Sequence, residues 1–259
     1  MGKVVNVRDK LGMPAEEAYR VLRTNLQFCS FDKKIKTLAI TSYGPGEGKT
    51  TTAINLSISM AMSGMKILLI DADLRKPGLI KRLGETNAIG LTNLISGQVS
   101  FQDALNYTDV DGFCFITCGP MPPNPTELLS SMKFMEIINE AREQFDMVII
   151  DTPPLGSFID CAVISSQIDG TLLVIKSKAV DYRSAQRVKE QLEKVNARII
   201  GVVLNKTEET EYKYHYNYYY YYGSNKNTRK GLFEKVRSLK DRVSDPSLKQ
   251  AKIKSRSPV

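Results

Sequence analysis

Residues 36–63 run from an apolar segment, KTLAITS, through YGPGEGKTT into a stretch whose apolar residues recur at helical spacing. A strand that turns through glycines straight into a helix must lie in a sheet with that helix packed back across it, because both elements have an apolar face to bury. The rest of the body repeats the pattern. Lys36 to Thr41, Lys66 to Ile70, Phe113 to Thr117, Met147 to Ile150, Thr171 to Ile175 and Ile199 to Leu204 are short runs apolar on both faces, as buried parallel strands are. Helical stretches fall near Thr50–Ser63, Thr126–Glu143, Asp160–Gln167 and Tyr182–Val195. The alternation predicts an α/β fold with a doubly wound, mostly parallel sheet. A further helix, from about Pro14 to Phe28, precedes the first strand, with Pro14 suited to its first turn.

The glycine-rich junction is also the first chemical signal. Gly44, Pro45, Gly46, Glu47, Gly48, Lys49, Thr50 and Thr51 form a turn that aims backbone N–H groups at one point, where the dipole of the following helix favours an anion. Lys49 is placed to reach the β- and γ-phosphates of a nucleotide, and the Thr50 hydroxyl to ligate Mg²⁺. The strict P-loop pattern has glycine where this chain has Tyr43, so the strand–loop–helix context carries the assignment. Two acidic strand ends add to it. Asp71 and Asp73 follow one apolar run and Asp151 another, where a doubly wound sheet keeps its ligand crevice. A lone aspartate there is as easily a helix cap. Three of them beside a P-loop predict a P-loop NTPase fold binding a nucleoside triphosphate with Mg²⁺, a hard ion served by a hydroxyl, carboxylates and water.

Composition removes several alternatives. The four cysteines, Cys29, Cys114, Cys118 and Cys161, form no C-x-x-C pair, and the single histidine is His215, so zinc sites and disulfide scaffolds are set aside. No window approaches a membrane span and no apolar leader opens the chain, which predicts a cytoplasmic protein. The net charge of +8 suggests an anionic partner until it is located. Residues 1–223 hold 25 basic and 25 acidic residues, and residues 224–259 hold 11 and 3. The body is neutral, and no nucleic-acid partner is expected for it. Between body and basic tail lies YKYHYNYYYYY, with Tyr212, Tyr214, Tyr216, Tyr218, Tyr219, Tyr220, Tyr221 and Tyr222, eight of the twelve tyrosines. Three regions follow: a P-loop domain over 1–206, a tyrosine-rich segment over 207–223 and a basic tail over 224–259. Within the tail, Leu232, Phe233, Val236, Leu239 and Val243 have the spacing of a short amphipathic helix suited to an anionic membrane surface or a partner.

Taken together, Pro45 to Thr50, the D-x-D-x-R of Asp71 to Arg75, the D-x-P-P of Asp151 to Pro154 and the tyrosine cluster resemble the bacterial tyrosine kinases of capsular and exopolysaccharide synthesis (BY-kinases), in the form where the kinase is a separate cytosolic chain. The resemblance spans about residues 14–222. It implies an ATP-dependent, non-specific protein-tyrosine kinase that phosphorylates its own cluster, between subunits, and other proteins of polysaccharide synthesis. It also implies recruitment to the inner face of the plasma membrane by a membrane-spanning activator, and a protein-tyrosine phosphatase as a further partner. The family's E-x-x-R-x-x-R motif, which mediates ring-like oligomers, falls on Glu17, Arg20 and Arg23. Taken alone, those charges at i, i+3 and i+6 read more readily as solvated helix pairs, and it is the resemblance that favours the oligomer.

In such a kinase the catalytic set is Lys49, Asp71, Asp73 and Asp151. The attacking phenol, with a pKa of about 10, needs a proton acceptor. Asp71 is the candidate, with Thr50, Asp73 and Asp151 on the metal side; the sequence leaves the division among the three aspartates open. Arg75 and Lys76 fit contact with phosphate or an acidic tail as well as a structural role, and resemblance to related P-loop proteins puts Asn205 near the adenine. The main rival is a Min/Par-type ATPase switch that binds DNA or membrane. That group carries a lysine at the position of Gly44, and the cluster has no use there. A nucleotide-binding adaptor without catalysis sits poorly with Lys49, Thr50 and three aspartates all present.

Overall fold

The computed structural model describes residues 4–7, 13–30, 33–84 and 89–207. In chain order the elements are β1 (Val4–Val5), α1 (Met13–Cys29), β2 (Thr37–Ser42), α2 (Lys49–Ala61), β3 (Ile67–Asp71), α3 (Leu79–Leu83), α4 (Leu91–Ile95), α5 (Phe101–Ala104), β4 (Asn106–Thr108) and β5 (Phe113–Ile116). They continue with α6 (Pro125–Leu129), α7 (Met132–Gln144), β6 (Met147–Asp151), α8 (Asp160–Ser165), β7 (Gly170–Lys176), α9 (Tyr182–Lys194) and β8 (Ile199–Asn205). The strands form one sheet in the order β1-β4-β5-β3-β6-β2-β7-β8. All pairs are parallel except β4 with β5. The α/β, mostly parallel expectation is borne out.

Strand periodicity explains why the central runs are apolar throughout. Leu38, Ile40, Ile67, Leu69 and Ile149 face α1 and α2, while Ala39, Leu68, Ile70, Val148 and Ile150 face the layer holding α4, α7 and α8. Helix α2 is buried along most of its length, between the sheet and α1. Helix α1 turns Tyr19, Leu22 and Leu26 toward that core, three residues at i, i+3 and i+7 on one stripe, while its opposite side leaves Val21 and Phe28 exposed among polar residues. At the other end of the strands Asp169 ties three elements together. It accepts the N–H groups of Lys36 and Thr37 and the Thr37 hydroxyl, each at 2.9 Å, and pairs with Arg142 of α7 at 2.7 Å.

Three expectations change. The single helix expected over Thr126–Glu143 is two, because Ser130 and Ser131 break it: Ser131 caps α7 by accepting the Phe134 N–H at 3.2 Å. The last strand is not buried on both faces. It is the sheet edge, with Val202 57% and Leu204 59% exposed. Strands β1 and β4, two and three residues long, went unpredicted because so short a segment has no periodicity to read.

Candidate active site

Strand order puts the site at one end of the sheet. Strand β2 lies between β6 and β7, so the loop after β2 emerges beside the ends of β6 and β7, with β3 and β8 one strand further on either side. This is the switch-point crevice of a doubly wound sheet. Gly46 and Gly48 adopt positive φ, at 75° and 105°, which lets the loop reverse and deliver Lys49 into the first turn of α2. A Cβ on Gly48 would lie 2.0 Å from the Asn205 side chain. Tyr43 needs no such conformation: the glycine in that corner is Gly156, whose Cβ would lie 2.4 Å from the Tyr43 carbonyl, and Gly156 donates its N–H to that oxygen at 3.0 Å. The departure from the strict pattern thus leaves the loop intact.

Around this loop the structure brings together Lys49, Thr50, Asp71, Asp73 and Asp151. Lys49 pairs with Asp73 at 3.3 Å. Asp71 and Asp151 are register partners on β3 and β6, both fully buried. The Asp71 carboxylate is held by the N–H groups of Asp73 and Leu79, each at 3.2 Å. Burial, then the charges of Asp151 and Asp73, push its pKa well above the ordinary range against those two bonds. Asp151 is raised to about 6 by burial, although Lys49 and the nearby Thr50 hydroxyl pull it back. Neither Asp151 oxygen has a hydrogen-bond partner of good geometry. A buried carboxylate without donors beside a threonine hydroxyl suits a hard cation. Among the described residues no three His, Cys, Asp or Glu side chains form a ready-made cage, so Mg²⁺ here would draw the rest of its shell from phosphate and water.

Other expected residues behave differently. Glu47 contributes a side chain as well as backbone: its carboxylate accepts the N–H of Gly44 within the loop and that of Lys176, at 3.1 Å, from the end of β7. Asn205 donates to the Glu47 carbonyl at 2.8 Å and Lys206 to the Gly46 carbonyl at 2.8 Å, so β8 ends against the loop. Arg75 turns away from the loop to Asp160, a partner that sequence reasoning missed. Its one available signal was an acidic residue opening the predicted helix that follows the D-x-P-P run. On α1, Arg20 pairs with Glu17 at 3.2 Å and Glu16 at 3.3 Å, both exposed, whereas Arg23 donates to the Ser59 carbonyl in the last turn of α2 at 2.5 Å. The tyrosine cluster and basic tail lie outside the described residues.

A glycine loop of this build on a sheet of this order is a nucleotide site, and the chain is a P-loop NTPase; residues 35–205 match the AAA domain family AAA_31. It is 41% identical to the tyrosine-protein kinase YwqD of Bacillus subtilis (strain 168), over 73% of this chain and 80% of that one. It is 38% identical to the tyrosine-protein kinase CpsD of Streptococcus agalactiae, over 80% and 90%. The crystal structure of the chimerical protein CapA2B2 superposes with a TM-score of 0.74 at 30% identity, covering 80% of this chain and 96% of that one. The chain belongs to the bacterial tyrosine-kinase family and is an ATP-dependent protein-tyrosine kinase. Among the described residues no helix is long and apolar enough to cross a membrane.

Proposed function

We propose that this chain transfers the γ-phosphate of ATP, with Mg²⁺, to the tyrosines of its own cluster at 212–222, between subunits, and to proteins of capsular or exopolysaccharide synthesis. The observation that carries the site reading is the buried pair Asp71 and Asp151 beside Lys49 and Asp73 at the mouth of the P-loop. Lys49 and the first-turn N–H groups of α2 bind and orient the phosphates. Thr50, Asp73 and Asp151 would hold Mg²⁺, which when bound would supply positive charge against the transferred group. Asp71 takes the phenol proton as the bond to phosphorus forms. Its two backbone hydrogen bonds fix its direction, and its raised pKa makes the ionised form a stronger proton acceptor. The α1 face bearing Glu17 and Arg20 supports assembly into a ring that presents one subunit's tail to its neighbour, while Arg23 serves by anchoring α1 to α2. A membrane-spanning activator recruits the chain to the inner membrane face, and a phosphatase reverses the modification.

The test is incubation with ATP and Mg²⁺, with and without an activator's cytoplasmic peptide, followed by phosphotyrosine detection. Signal that vanishes in Lys49→Met is expected. Absence of phosphotyrosine in both arms, together with ATP hydrolysis stimulated by DNA, would favour the Min/Par-type switch instead.

A further inference from the structure

We propose that Asp160, a residue outside every motif above, is a positioning residue for phosphoryl transfer: through Arg75 it fixes the segment after β3 that carries Asp73. The proposal rests on the reading of Asp73 as part of the catalytic set. Strand β3 ends at Asp71, and residues 72–78 follow without regular secondary structure before α3 begins. Asp71 is held in the β3–β6 ladder, which Ala72 extends by donating its N–H to the Asp151 carbonyl at 2.8 Å, whereas Asp73 stands in the irregular segment, whose placement depends on side-chain ties.

Arg75 supplies such a tie. Its Nε donates to Asp160 Oδ2 at 2.6 Å and its Nη2 to Asp160 Oδ1 at 3.1 Å, the two-pronged geometry that a planar guanidinium makes and an ammonium does not. Nη2 also donates to the Thr126 hydroxyl at 3.0 Å, and that hydroxyl donates onward to Asp160 Oδ1 at 2.5 Å, closing a ring of hydrogen bonds. The Phe158 ring lies 4.5 Å from the guanidinium carbon. Asp160 is 1% exposed. The network thus joins three regions distant in sequence: the segment after β3, the first turn of α6, and the chain from the end of β6 into α8.

Stability alone is a poor reason for this arrangement. Asp160 is buried while the Arg75 side chain keeps 30% of its surface exposed, so the pair bears the desolvation of the carboxylate and has its attraction weakened by solvent. What the pair provides and an apolar contact lacks is direction. A displacement of about 1 Å at a reacting group costs roughly 100-fold in rate, and Arg75 lies two residues from Asp73. Charge on Asp160 is secured by the same contacts: burial pushes its pKa up, but the bonds from Arg75 and Thr126 outweigh this and hold it below the ordinary carboxylate value.

The experiment uses the full chain with its tyrosine cluster and measures kcat, KM for ATP at saturating Mg²⁺, and Tm. Asp160→Asn and Arg75→Lys are expected to lower kcat roughly 10- to 100-fold with KM for ATP changed less than about threefold, because the P-loop is untouched. The near-isosteric Thr126→Val should lower kcat by a smaller factor with Tm close to wild type, and Asp160→Glu should recover part of the loss. Should the Asp160 variants fail to fold, Thr126→Val and Arg75→Lys carry the test. Wild-type kcat in the folded variants, or a loss that vanishes once each is assayed well below its own Tm, would overturn the proposal. Asp73→Ala separates the two readings. If it abolishes transfer while Asp160→Asn does not, this proposal alone fails; if it leaves kcat intact, the site reading fails and takes this proposal with it.

Discussion

Asp151 sits beside Asp71 on neighbouring strands, without a hydrogen-bond donor of its own, so the protein carries two buried carboxylates that repel each other. Such a pair is tolerated where a cation is to be held, and it has a measurable cost. The folded pKa of Asp151, about 6, lies above the unfolded value of ~3.9. Between those values the folded chain keeps a proton that the unfolded chain releases, so this group's contribution to stability falls as pH rises through that window and stays low above it. With ATP and Mg²⁺ present Asp151→Asn should abolish kinase activity, yet in metal-free buffer it should stabilise the fold at pH 8 by roughly 1–3 kcal/mol, with a smaller effect at pH 4; phosphotyrosine detection and urea melts at the two pH values check this. Residue identities at this site were largely legible because strand ends and a glycine loop announce themselves locally. The partners of Arg75 and Glu47 were not, since Asp160 and Lys176 reach them only through the fold.

Asp169 shows the opposite electrostatics at the level of the elements it joins. It stands just before β7 and accepts hydrogen bonds from the start of β2, while Arg142 of α7 closes over it. Burial raises its pKa, but the Lys36 N–H, the Thr37 hydroxyl and N–H, and the Arg142 charge more than offset this, leaving it below the ordinary value. Its stabilisation is fully present above the unfolded pKa of ~3.9 and is lost as pH falls through the lower folded value. Asp169→Asn should lower stability at pH 7 by about 1–3 kcal/mol and remove part of the acid limb from the stability–pH curve, as followed by thermal melts. The order and type of the long elements were readable from periodicity. Where one helix became two, capping by Ser131 overrode a continuous helical pattern. Apolar content cannot show that β8 lies at the edge, because edge position is a property of the sheet order.

For the whole molecule, the strand that runs through glycines into a helix lies within a sheet whose order gathers the ends of five strands around one loop. Charge follows the same division: a neutral body holding the nucleotide site, and a +8 tail beyond a tyrosine cluster. At roughly −1.5 to −2 per phosphate, about four phosphotyrosines would balance that tail, linking the kinase reaction to whatever the tail touches. On the proposed function, this site phosphorylates the cluster of another copy. The direct measurement mixes an active chain whose eight cluster tyrosines are Phe with an inactive Lys49→Met chain that keeps them, adds ATP, Mg²⁺ and the activator peptide, and maps phosphotyrosine by mass spectrometry. Phosphate is expected on residues 212–222 of the inactive chain. An unmodified cluster there, while wild-type protein alone phosphorylates its own, would contradict it.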